Sequence, residues 1–562
     1  MNITDQFVLL LPSLPLASAF LTHLSSGPMG RNVSRISIAS STVSFLVAAI
    51  LLGLALSGQE VASVAIGESW GSLIFDPLSV LMGLLIAGIS LLVRIYSVRY
   101  MAEEEGYGRF FVLLDLITAA LLIMVAAADL VTLLVSWHLI GVLLYFLLGH
   151  DTRSKSAYRY GFWTFITYRF GDLPLVLAAA VLFHTFHTWS LPEIFTALAA
   201  NPDTKTFFNL PVSEVVGALI AMSAFARSAQ FLLHTWLPYT MDGPTPVSAL
   251  MHAGIVNAGG FLINRFAPVF AYTDNVLHGV FIVGLFTAVI GSVLMLSQHD
   301  IKKSLGYSTM GQMGFMIMEC GVGAFSLAIF HLIAHGLFKG TLFLSAGGII
   351  GEARHDDGVP KDDLYTFIVE RRPARNRQPW LLMAAITLAI PVAVLLLSHL
   401  LVAPNLFQKQ GAIILLFFGW VTGAQLLFAT YNMRSENPWR LVTLIVFSFI
   451  VVVVGYTLIS HAFDVFLYPD PDFGTKLYRA AGIEFSWFVI LVVFASAVIV
   501  LGWLRAYYTE RSQRGKGRSP GHWWRNFYAL VWREFHILDI YTGLSRGLLA
   551  ASARVNVWLR WG

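Results

Sequence analysis

Apolar runs of about 20 residues, each long enough to cross a bilayer as a helix, recur along almost the whole chain. About 15 of them are legible. They lie at roughly 7–23, 36–57, 76–96, 109–127, 130–148, 160–183, 214–234, 246–266, 277–297, 304–322, 324–348, 380–402, 411–431, 441–461 and 484–505. Inside a bilayer each backbone amide needs a partner within its own segment, so these runs predict an all-α polytopic membrane protein. A composition of 57% hydrophobic and 12% charged residues agrees, and excludes a soluble protein of this size. The first run lacks a basic leader, so it reads as a retained span rather than a cleaved signal. The single cysteine, Cys320, excludes an internal disulfide framework and a cysteine-based metal cluster.

Lys and Arg cluster in alternate connections. They are Arg31 and Arg35; Arg99 with Arg109; Arg153, Lys155 and Arg159; Lys302 and Lys303; Arg354 through Arg377; Arg434 and Arg440; and a tail with Arg505, Arg511, Arg514, Lys516 and Arg518. An odd number of spans with the N-terminus outside and the C-terminus cytoplasmic puts them all on the cytoplasmic side of a cell (inner) membrane. The net charge of +4 thus reports topology, not nucleic-acid binding. After the last span comes a basic linker, and then a segment rich in aromatic, aliphatic and basic residues. It suits a helix lying on the membrane or docked on a partner.

Ionisable residues within the runs are costly and mark candidate sites. His138 lies in span 5. In span 6, Arg169 and Asp172 share a helix face at i, i+3 and can pair. Arg227 lies in span 7, about two turns before a break, LPYTMDGPTPVS. Pro238, Pro244 and Pro246 remove amide donors there and Gly243 relaxes the backbone. Arg227 cannot carry a proton itself, but it can set the field for one or pair with a carboxylate such as Asp172. His234 precedes the break and His252 follows it. In span 11, His331, His335 and Lys339 stand at i, i+4, i+8, a polar stripe of about 12 Å along one face. Two histidines at i, i+4 can bind zinc, but no third ligand is evident. A water-linked proton path suits the stripe better, since histidine and a buried lysine titrate near neutrality.

SAQFLLHTWLPYTMDGPTPVSALMHA, DIKKSLGYSTMGQMGFM, HLIAHGLFKGTLFLSAG, FDPLSVLM and TYRFGD resemble signature segments of the antiporter-like membrane subunits. These include the largest such subunit of respiratory complex I and the large Mrp antiporter subunit. The resemblance covers most of residues 70–350. It implies two inverted five-helix repeats with broken helices, at 109–266 and 277–431, with Pro391 as the second break. Around them would stand N-terminal helices (1–108), C-terminal spans (441–505) and a cytoplasmic basic linker with a docking helix (506–562).

The departures from that family narrow the reading. His138 stands where the pumping subunits have glutamate, and Arg227 where they have lysine. Span 12 has no lysine, only His399. The pattern is most similar to the DabB branch, the membrane subunits of two-component inorganic-carbon accumulation complexes. In that branch the partner is a large cytoplasmic subunit of the DabA type, resembling a zinc β-carbonic anhydrase. The resemblance therefore implies a transport subunit with no cofactor of its own, the zinc belonging to the partner. H+ or Na+ would move along His252, His331, His335 and Lys339 and energise uptake of CO2 or bicarbonate. His138 and Arg227 would form an electrostatic gate. The alternatives are a proton-pumping subunit of a complex I variant or hydrogenase, and an Mrp-type cation/proton antiporter subunit. Both predict acid–lysine pairs.

Overall fold

The computed structural model describes residues 3–353 apart from short loop stretches at 59–62, 66, 68–69, 241–242, 274 and 299. It then describes 461–482, 522–559 and a few isolated positions between. The spans expected at 380–402, 411–431, 441–461 and 484–505 lie largely outside the described residues, Pro391 and His399 among them, as do most of loop 351–379 and the linker.

Apolar length becomes helix as expected. The chain runs through α1 (Ile3–Met29), α2 (Ser34–Leu56), α3 (Pro77–Tyr100), α4 (Tyr107–Ala126), α5 (Leu130–Leu148) and α6 (Lys155–Phe186). It continues through α7 (Leu191–Ala200), α8 (Val212–Arg227), α9 (Thr245–Leu250), α10 (Ala258–Arg265), α11 (Ala267–Phe270), α12 (Val276–Ser297), α13 (Ile301–Gly321) and α14 (Phe325–Ala353). Further on come α15 (Pro471–Ala481), α16 (His522–Trp532) and α17 (Ile537–Leu559). Among the described residues, 8 segments are long and apolar enough to cross a membrane; the first, Phe7–Leu56, contains both α1 and α2. The fold is not purely helical. A short antiparallel hairpin pairs β1 (Ser63–Ala65) with β2 (Ser72–Ile74).

Two of the basic connections meet at one end of the bundle. Arg109 donates to the His150 carbonyl at 2.8 Å and Arg153 pairs with Glu105 at 2.5 Å, joining them. Gly108 abuts Ser26 beside the α1–α2 turn. Tyr528 of α16 reaches the Ser297 carbonyl at 3.4 Å, which brings the tail to the α12–α13 connection. Other connections are tied separately. Asp129 accepts from Ser72, and Lys476 lies 3.9 Å over the Tyr272 ring.

Two ion pairs, one fully and one partly buried, hold the N-terminal half. Arg94 of α3 meets Asp115 of α4 at 2.6 Å, both side chains 1% exposed. Asp115 also accepts from Ser18 of α1 at 2.7 Å and Ser37 of α2 at 2.6 Å, so one carboxylate knits four helices. Arg265 of α10 pairs with Asp76, the N-cap of α3, at 2.6 Å and donates to the Val125 carbonyl at 2.8 Å.

α12 and α13 approach until their backbones touch, through Gly284 and Gly314. With no hydrophobic drive between helices in lipid, such close contact supplies the packing energy. A methyl group at Gly314 would overlap the Ala288 amide nitrogen, which cannot move aside as a side-chain tip can. Gly314→Ala is therefore expected to cost about 1–3 kcal/mol. Thermal unfolding in detergent reads this as a lowered midpoint; an unchanged midpoint contradicts the packing.

Candidate ion-conducting site at the broken helix

The break begins earlier than the prolines suggest. α8 ends at Arg227, ten residues before Pro238 would end it, and residues 228–239 turn without forming a helix. The expected span 214–234 is corrected accordingly: Arg227 is the last helical residue, not one placed two turns before the break. Ala229 (φ 48°) and Leu232 (φ 74°) take left-handed backbone that residues with side chains rarely adopt. Neighbouring segments supply the partners this backbone needs at membrane depth. The Thr287 hydroxyl of α12 accepts from the Phe231 amide at 3.0 Å, and the Trp236 indole donates to the Ala226 carbonyl at 3.3 Å. Ser228 donates to the Val256 carbonyl at 2.7 Å. Pro238 lies in the turns that follow, and Gly243 and Pro244 precede α9, in which Pro246 occupies a first-turn position where its missing amide costs nothing.

Arg227 is buried, 2% exposed. Its guanidinium lies 4.2 Å from the ring centroids of both Trp137 and Tyr168, and it donates to the Trp137 carbonyl at 2.6 Å. Desolvated cation–π contacts of this kind are worth about 2 kcal/mol each. Pairing of Arg227 with Asp172 is not found: among the described residues no carboxylate comes within ion-pair distance. Asp172 is taken by Arg169 at 3.0 Å, as the i, i+3 spacing predicted, and by His138 at 3.0 Å. The Arg169 guanidinium also reaches the His138 ring, over Gly141, where any side chain would collide with it. His138 itself is 55% exposed. Adjacent residues on a helix point about 100° apart. Trp137 thus faces the buried arginine while His138 faces outward, with no direct contact between His138 and Arg227 among the described residues.

The histidine–lysine stripe faces inward. His335 and Lys339 are 5% and 2% exposed, and the His331 and His335 rings lie 6.3 Å apart. His331 meets Glu319 of α13 at 3.0 Å through Nδ1 and Gln312 at 2.9 Å through Nε2. Both partners present oxygens, so the ring as oriented donates twice, as a protonated imidazole does. Rotating the Gln312 amide by half a turn serves the neutral ring equally well. Glu319 is fully buried and carries no other partner among the described residues. Sequence reading missed it, although a carboxylate within an apolar run is itself a signal.

Lys339 donates to the Ser308 hydroxyl at 2.8 Å and to the Leu305 carbonyl at 3.4 Å. His252 is fully buried in a single π-helical turn, Met251–Ile255, and stacks on Phe343 of α14 at 4.3 Å. Gly336 of α14 lets this turn approach: a Cβ there would meet the Ala253 carbonyl at 2.5 Å. His234 is also buried, stacked on Phe231 at 5.7 Å and 6.5 Å from the Tyr307 ring. The ring nitrogens of His234, His252 and His335 have no protein partner among the described residues. Buried polar atoms of this kind are met by ordered water, so the three rings suit a hydrated relay better than a dry core. Among the described residues no three metal-ligating side chains converge, and both His331 nitrogens are already engaged.

Comparison with known proteins agrees with this architecture. The NADH:quinone oxidoreductase/Mrp antiporter transmembrane family matches residues 127–426, and the N-terminal region of complex I chain 5 matches 69–111. The probable inorganic carbon transporter subunit DabB1 of Halothiobacillus neapolitanus is 56% identical over 554 residues, 98% of this chain and 99% of that protein. NAD(P)H-quinone oxidoreductase chain 5 of Synechocystis is 32% identical over 464 residues, 78% of this chain and 67% of that one. Among solved structures, a chain of the Mrp complex from a Dietzia species superposes with TM-score 0.56 at 24% identity, covering 99% of this chain and 60% of that one. A chain of the membrane-bound sulfane sulfur reductase, an archaeal respiratory membrane complex, gives TM-score 0.56 at 18% identity, covering 87% and 100%. These two likenesses carry the fold alone. The chain belongs to the NADH:quinone oxidoreductase/Mrp antiporter family of membrane subunits.

Proposed function

We propose that this protein is the membrane subunit of an energised inorganic-carbon uptake complex. Protons would enter down their gradient along His331, His335, Lys339 and His252, coupled to a large cytoplasmic partner resembling a zinc β-carbonic anhydrase. The end-to-end likeness to DabB1 carries the reading; the buried array along α14 supports the ion path. This chain would be no enzyme. Hydration of CO2 to bicarbonate and a proton would take place on zinc in the partner, on the cytoplasmic side of the inner membrane. The N-terminus would lie outside and the basic face inside. One proton moving down 100 mV releases about 2.3 kcal/mol. That is enough to bias a concentration ratio roughly 50-fold.

The two halves of the broken helix would form the gate. Arg227 holds a permanent charge there between two aromatic rings, and Arg169, Asp172 and His138 form a separate cluster that tunes the field. Arg227 at a lysine position disfavours the redox-driven pump, and Glu319 pairs with a histidine rather than with the lysine that reading needs. Affinity purification from native membranes tests the assignment. Recovery of a large zinc-containing cytoplasmic protein is the expected result. Quinone-reductase or hydrogenase subunits in its place would assign the chain to a redox-driven pump.

A further inference from the structure

The tail does not lie free on the membrane. Between α16 and α17 the chain makes a turn in which Glu534, Phe535 and His536 all have positive φ, at 54°, 56° and 61°. Three consecutive residues with side chains adopt this conformation only when surrounding contacts impose it. The contacts are with the broken helix. The Glu534 carboxylate is 5% exposed and accepts a 2.7 Å hydrogen bond from the Tyr239 hydroxyl. Tyr541 of α17 donates to the Leu232 carbonyl and packs edge-on against Trp163 at 5.5 Å.

Outside Glu534 lies a cavity of about 540 Å³ lined by Tyr239, Asp300, Lys303, Arg533, Glu534 and Asp539. Inside it is Tyr307 of α13, whose buried ring lies within electrostatic reach of the same carboxylate. The next residue, Ser308, takes the hydrogen bond from Lys339. The second oxygen of Glu534 has no partner among the described residues. One buried carboxylate therefore stands between the charged cavity and Tyr307, whose neighbour in sequence holds Lys339. Lys303 and Arg533 keep counter-charges beside it, and Asp300 and Asp539 give the cavity its own carboxylates.

We propose that Glu534 is the proton-transfer carboxylate at this mouth of the path, so that the tail is part of the conducting unit. Glu534 would take a proton from water in the cavity and release it, through water beside Tyr239 and Tyr307, to the Lys339 amine; the reverse steps return it. The inference rests on the proton path proposed above. A simple latch, in which Glu534 only anchors the tail to Tyr239, makes a different prediction. Glutamine keeps an oxygen for Tyr239 to donate to and cannot titrate.

The test uses the full chain with its co-purifying subunits in proteoliposomes, with an imposed pH gradient and a trapped pH-sensitive dye. Glu534→Gln should lower proton flux at least tenfold with the complex intact, and Glu534→Asp should keep most of it. Wild-type flux in Glu534→Gln, with Lys339→Met inactive, would overturn this inference alone. Loss in both Glu534 variants together with release of the tail to protease would identify a latch and also overturn it. Wild-type vesicles no leakier than lipid alone would contradict the proposed function itself, and this inference with it.

Discussion

Lys339→Met is expected to lower proton-coupled carbon accumulation at least tenfold while leaving the chain assembled in the membrane. The ammonium is 2% exposed and finds only a hydroxyl and a carbonyl, Ser308 and Leu305, among the described residues. A buried ammonium that is not neutralised by a carboxylate costs stability. Methionine keeps much of the stem length and packing of α14 against the π-helical turn and removes only the titratable group. Stability should hold or rise while transport falls. Uptake by intact cells, with blotting of purified membranes for the chain, separates the two effects. Unimpaired uptake in Lys339→Met would leave the chain as a passive anchor for its partner.

The largest effect on stability is expected at Asp115. Four helices converge on its carboxylate, through Arg94, Ser18 and Ser37. Asp115→Ala leaves the Arg94 guanidinium buried and unpaired. Breaking a buried pair from one side costs about 3–5 kcal/mol, a large part of the stability of most folded chains. The variant should be lost from membranes or unfold well below wild type in detergent. Replacing both partners with apolar residues of similar volume, Arg94→Met with Asp115→Leu, should recover much of that loss. A single variant as stable as wild type would show that the pair bears no weight.

The helices were legible because a bilayer demands about 20 apolar residues per span. The Arg169–Asp172 pair and the inward stripe on α14 followed from helical spacing. Other features depend on contacts between segments far apart in sequence. Residues 228–237 contain neither proline nor glycine, so nothing local ends α8 at Arg227; the Thr287 hydroxyl and the Val256 carbonyl stabilise the opened backbone from neighbouring segments. A carboxylate such as Asp172 was one partner open to Arg227, yet two aromatic rings and a carbonyl hold it. Its tyrosine comes from α6, one residue before Arg169, which periodicity assigns to no particular face. Glu319 and Glu534 each gain their roles from a partner on another element, His331 and Tyr239, which a linear reading cannot bring together.

The central claim is that an ion gradient drives carbon uptake through this subunit. Accumulation of labelled inorganic carbon tests it most directly, in a carbonic-anhydrase-deficient bacterium expressing the chain with its cytoplasmic partner, before and after an uncoupler. Accumulation above the external concentration that collapses with the gradient is the predicted result. Accumulation that persists after every ion gradient is dissipated would contradict it.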